Sequence, residues 1–167
     1  MRAGVVVLAS GNRSRGDDAV GPLLLERLAN WLAAEGRSGE FELFDDYQLQ
    51  IEHALDLEGR RLALFVDAGW HTPAPLAFYA VAPAGAAAAS STHALSPQAV
   101  LDVYRQIALA DPPPAFVLCV SGEQFELGAG LSAAAMKHVE AAWQKLQLLC
   151  LQPDAARWRG MVTARAD

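Results

Sequence analysis

The chain has 167 residues, a net charge of −6 at pH 7, 53% hydrophobic residues and 19% charged ones. That size and balance fit one globular domain with a full core, not a disordered chain. The acidic excess argues against a nucleic-acid partner and for no anionic surface. No apolar run reaches the length of a membrane span. The start, Met1-Arg2-Ala3-Gly4-Val5, lacks a signal-peptide h-region, so no membrane and a cytoplasmic location are expected. Cys119 and Cys150 sit in apolar surroundings without metal-ligand spacing and read as buried free thiols.

Residues 3–8, rich in valine, read as a buried parallel strand. A turn of Gly, Ser and Asn follows, then Asp17 and Asp18, either of which can cap the next helix. Val20, Leu24, Leu28 and Trp31 mark one helical face, and Gly36 and Gly39 end it. Phe41–Asp45 alternates as a second strand. Ile51 and Leu55 suggest a short helix that stops near Gly59. Leu62–Asp67 is an apolar run closed by a carboxylate, as in a central parallel strand. Leu76–Val81 is strand-like, and the prolines at 73, 75 and 83 place it at an edge.

Residues 83–92 are small and low in complexity and read as a loop. Ser96-Pro97 opens a helix that Val100, Tyr104 and Ile107 carry up to Pro112-Pro113-Pro114. Ala115–Val120 is the last strand, and Leu131, Ala135, Val139, Ala142 and Leu146 mark the last long helix. Strands and helices largely alternate. The expected fold is a three-layer α/β/α domain over residues 1–150, with a mostly parallel twisted sheet of about five strands. Residues 151–167 show little periodicity and are expected to form a C-terminal tail that frays.

The first loop, Leu8 to Pro22, lies where an open α/β sheet binds ligands, at the carboxyl end of a strand. It holds neither G-x-G-x-x-G nor G-x-x-x-x-G-K-[ST], and its aspartates repel phosphate, which disfavours a nucleotide. Helix capping accounts for one of Asp17 and Asp18 but needs only one carboxylate. Asp67, at a strand end, must reach solvent or a partner, because unpaired burial is costly. His93 precedes a helix. It, His53 and His71 are the kind of histidine that is ordinarily just solvated. No H-E-x-x-H or G-x-S-x-G is present. Taken together, Asp18, Asp67 and His93 offer oxygen and nitrogen donors that suit a divalent ion such as nickel or zinc, with coordination positions left open.

These residues resemble a known family. Gly11-Asn12 … Asp17-Asp18-Ala19-Val20-Gly21 is similar to the opening motif of the nickel–iron hydrogenase maturation proteases, G-N-x-x-x-x-D-[DE]-x-x-G. Val66-Asp67-Ala68 resembles the family's second motif, an aspartate closing an apolar strand. Thr92-His93-Ala94-Leu95-Ser96 resembles the third, a histidine ahead of a helix. The resemblance runs over most of residues 3–150. It implies a twisted sheet between helices and a cytoplasmic endopeptidase. Such an enzyme removes the C-terminal extension of a hydrogenase large subunit once nickel is inserted.

The family's metal-contacting and catalytic set carries over as Asp18, Asp67 and His93. The nickel belongs to the nickel-loaded large subunit, the expected partner, so no permanent cofactor is expected. A monomer is expected as well. Asn12, Asp17, Asp45, Asp46 and Gln48 are expected to face the substrate, with Asp17 also a candidate base. Ala9-Ser10 stands where a glycine-rich entry is common, and Asp45-Asp46-Tyr47-Gln48-Leu49 where many members carry an Asp-Gly-Gly-Thr type loop. Two other readings stand beside the protease. One is a nickel-checking or chaperone-like protein that binds the large subunit without cutting it. The other is a small-molecule module in which Asp18 is only a cap and the three side chains do not meet.

Overall fold

The computed structural model describes residues 2–85 and 95–163, so His93 lies outside the described residues. Five strands form one sheet: β1 (Val5–Ser10), β2 (Phe41–Asp46), β3 (Leu62–Gly69), β4 (Leu76–Val81) and β5 (Ala115–Ser121). Their spatial order is β2-β1-β3-β5-β4. All neighbours run parallel except β4, which lies antiparallel to β5. The prolines around β4 thus do mark an edge, where a missing N–H costs no ladder bond.

Valine-rich β1 is buried along Val5–Ala9 because both of its faces are covered. Val5, Val7 and Ala9 share one core with α1 (Val20–Ala34) and α3 (Ala133–Leu151). Val6 and Leu8 share a second core with α2 (Pro97–Ala108) and the 3-10 turn Ile51–Leu57. Helices on both faces of a mostly parallel sheet make the expected three-layer architecture. Helix α2 stops before Pro112, at Ala108, where Leu109 takes a left-handed conformation (φ 51°).

The C-terminal segment departs from expectation. Residues 155–159 form α4 (Ala155–Arg159), capped by Asp154, whose carboxylate accepts from the Arg157 N–H at 3.0 Å. Trp158 is fully buried against Phe78 and Phe116, and its Nε1–H donates to the Leu149 carbonyl at 3.0 Å. Thr163 then exchanges backbone and side-chain hydrogen bonds with Phe78 of the edge strand β4. The domain therefore runs to Thr163, and part of what reads as a tail closes the core. One tryptophan has no periodicity to announce it, yet it removes a large apolar surface from water.

Candidate active site

Two carboxylates meet at the carboxyl end of the sheet. From β1 the chain passes to β2 on one side and then to β3 on the other, so the β1/β3 boundary is a topological switch point. The crevice outside such a boundary is where open α/β sheets bind ligands. Here it is a cleft of about 460 Å³. Asp18, from the turn after β1, and Asp67, near the end of β3, both line it, with Gln48 on the β2 side. Leu95, Ser96 and Pro97, the entry to α2, form another wall, which begins two residues after His93 in sequence.

The first loop is built to bring Asp18 there. Gly11 has φ 147°, and a Cβ at that position would collide with the Asp18 carbonyl oxygen. The backbone N–H of Asn12 donates to Asp18 Oδ2 at 2.7 Å. Gly21 lets the start of α1 press onto the strand ends, since a Cβ there would lie 2.7 Å from the Ser10 carbonyl oxygen and 3.1 Å from that of Val66. The motif glycines are thus the close-approach positions of this loop.

The cleft is electrostatically primed for a cation. Burial pushes the Asp67 carboxyl up to about 6, and the nearby Asp18 charge adds to the rise against a hydrogen bond from Cys119 that opposes it. A divalent ion between the two carboxylates would replace like-charge repulsion with attraction. Among the described residues, no group of three histidines, cysteines or acids is gathered closely enough to hold a metal alone. Two carboxylates and an open cleft suit an ion that arrives with ligands of its own.

Asp17 does not face this cleft. It is fully buried, and its carboxylate accepts from the N–H groups of Glu123 (2.9 Å), Gln124 (3.1 Å) and Ser132 (2.7 Å) and from the Ser132 hydroxyl (2.8 Å). Burial alone would raise its pKa, but these four bonds outweigh it and hold the carboxyl below the usual aspartate value. The expected substrate contact is thus a structural tie, and no side chain caps α1, whose N-cap is Ala19.

Asn12 turns its side-chain oxygen to the Ser14 N–H, 2.9 Å away, and so shapes the loop. Asp45 and Asp46 line an adjoining cavity of about 320 Å³ with Gly11, Arg13, Pro22 and Tyr47. Arg13 pairs with Asp45 at 3.6 Å, and His53 lies 3.8 Å from Asp46. His53 is thereby used within the 3-10 turn, where its Nδ1 also accepts from the Gln50 N–H. Tyr47, 73% exposed, borders both cavities and was not singled out by sequence; an exposed aromatic in a turn carries no periodic signal.

No protein-family model matches the chain, and no curated protein matches it by sequence. Solved structures do match. A [NiFe] hydrogenase maturation protease HycI from Thermococcus kodakarensis KOD1 superposes with TM-score 0.66 at 20% identity, over 90% of this chain and 94% of that one. The hydrogenase maturating endopeptidase HybD from E. coli gives 0.64 at 23% identity, over 90% and 93%. An endopeptidase from Escherichia coli gives 0.63 at 25% identity, over 87% and 90%. The chain has the fold of the hydrogenase maturation endopeptidases. The likeness spans about nine-tenths of each chain.

Proposed function

We propose that the protein belongs to the hydrogenase maturation proteases and is an endopeptidase that removes the C-terminal extension of a nickel–iron hydrogenase large subunit after nickel insertion. The observation that carries this reading is the placing of Asp18 and Asp67 in one cleft at the β1/β3 switch point of a maturation-endopeptidase fold. His93 is the third donor in the proposal, on the segment just ahead of the wall formed by Leu95–Pro97.

The nickel is part of the substrate. Two carboxylates and one imidazole leave coordination positions for the large subunit's own ligands, so a loaded subunit is held and an empty one is not. A divalent ion so placed can polarise a scissile carbonyl or lower the pKa of a water for amide hydrolysis. The role of this chain is to fix the ion and so the segment to be cut. The neighbouring cavity, floored by Asp45 and Asp46, gives an extended peptide a path across the end of β2.

The test is mass spectrometry of purified large-subunit precursor, with and without nickel, after incubation with the protein. Loss of a C-terminal peptide only from the nickel-loaded precursor is expected. Efficient cutting of nickel-free precursor would remove nickel as the recognition element. Stable binding of the loaded precursor without cleavage would favour a nickel-checking protein instead.

A further inference from the structure

Cys119 is the direct partner of Asp67 in the β3–β5 ladder. In a parallel pair, residues in register project to the same face, so thiol and carboxylate are side by side. The two groups shift each other's titration, the thiol favouring the Asp67 carboxylate and the carboxylate favouring the protonated thiol. On its other side, Thr72 Oγ1 lies 3.1 Å from Cys119 Sγ. Gly69 makes room for this pair: a Cβ there would stand 2.5 Å from Thr72 Oγ1 and 2.9 Å from Cys119 Sγ. Thr72 and Cys119 line a separate cavity of about 300 Å³, while Asp67 lines the cleft. Cys119 thus stands between the two spaces, with a hydroxyl behind it and a carboxylate ahead.

We propose that Cys119, oriented by Thr72, is a positioning residue that holds the Asp67 carboxylate toward the cleft. The inference rests on the reading of Asp67 as a metal-contacting residue. A carboxylate that binds a metal needs its remaining lone pairs occupied if it is to keep one orientation, and such outer partners tune metal affinity. With its hydrogen directed at Asp67, the sulfur can accept from Thr72, so the line Thr72–Cys119–Asp67 has one direction. In this arrangement the cysteine is neither a nucleophile nor a ligand.

The experiment is calorimetric titration of the full chain with nickel(II) and cadmium(II) chloride, for wild type, Cys119→Ser, Cys119→Val, Thr72→Val and Asp67→Ala, with thermal midpoints measured alongside. Valine keeps the apolar bulk and loses the donor; serine does the reverse. A hydrogen-bond role predicts affinity weakened about tenfold in Cys119→Val and held within about twofold in Cys119→Ser. Thr72→Val should weaken binding less than Cys119→Val. A packing role predicts the opposite order, and that order would overturn the inference. Cys119→Ala replaces the valine variant if valine prevents folding. Wild-type affinity in Cys119→Val, with binding lost in Asp67→Ala, would also overturn it while leaving the metal-site reading intact. Wild-type affinity in Asp67→Ala would overturn both. A thiolate-to-cadmium charge-transfer band that Cys119→Ser abolishes would make Cys119 a ligand, and the positioning role would fall.

Discussion

The carboxylate of Asp17 accepts from both the backbone N–H (2.7 Å) and the hydroxyl (2.8 Å) of Ser132, 115 residues further along the chain. Ser132 in turn caps α3, its Oγ accepting from the Ala135 N–H at 3.0 Å. One buried side chain therefore ties the first loop to the start of the longest helix. Its neighbour Asp18 turns the other way, into the cleft.

Adjacent aspartates should thus fail differently. Asp17→Ala leaves buried donors without an acceptor and should lower stability by about 3 kcal/mol. Asp18→Ala should leave the denaturation midpoint near wild type and remove metal binding. Urea denaturation and metal titration of the two variants check this, and reversed phenotypes would mean the first motif is misaligned by one residue. Asp17 also adds acid lability. Its folded pKa is depressed, so its contribution is complete above an unfolded aspartate's pKa of about 3.8 and is lost as pH falls through the lower folded value. Asp17→Ala should flatten the wild-type loss of stability at low pH.

Asp67 should show the opposite linkage. Its carboxyl titrates at about 6 in the fold against 3.8 ordinarily, with burial as the main cause. Between those values the folded chain keeps a proton that the unfolded chain has released. Stability therefore falls as pH rises through that window. Asp67→Asn, which cannot ionise, should be more stable than wild type at pH 7 by on the order of 1–2 kcal/mol, with no advantage below about pH 3.5. The same variant should lose processing activity. Thermal denaturation across pH 3.5–7.5 checks the sign, and a variant less stable than wild type at pH 7 would contradict it.

Trp158 fills the space between Phe78, Phe116 and the end of α3. Trp158→Ala should cost about 3–5 kcal/mol, as other large-to-small changes in full cores do. Deleting residues 152–167 should cost at least as much, because it also exposes the outer edge of β4. Chemical denaturation of both variants tests this; a truncated chain with wild-type stability would make the segment a dispensable tail.

Cys150 is fully buried, and burial pushes its thiol up to about 12. The thiolate is the reactive form, so Cys150 should resist iodoacetamide at pH 8 in the native chain and label on denaturation. Peptide mapping after timed alkylation reads this directly. Rapid native labelling would show that the C-terminal end of α3 opens readily.

The local pattern of the chain determined a good deal. Valine-rich β1 and the apolar run of β3 read as buried parallel strands, and the prolines around Leu76–Val81 marked an edge. The strand-end position of Asp67 is visible because an apolar run that stops at a carboxylate has few places to put the charge, and Asp18 is visible as one of two adjacent carboxylates where a single helix cap needs only one. Periodicity shows which face of an element is buried but not what covers it. The order β2-β1-β3-β5-β4, which sets β3 beside β1 and so brings Asp18 and Asp67 to one cleft, came only with the tertiary structure. The same is true of the division of labour between Asp17 and Asp18. Both are carboxylates before a helix, and only the arrival of Glu123, Gln124 and Ser132 turns the first into a buried tie. Cys119 meets Thr72 and Asp67, 47 and 52 residues away in sequence, and Trp158 meets Phe116 and Phe78, 42 and 80 residues away, so no local signal could name these partners. Pairings between distant segments are fixed by packing and hydrogen bonding in the assembled fold, where each buried polar group must find an acceptor or donor.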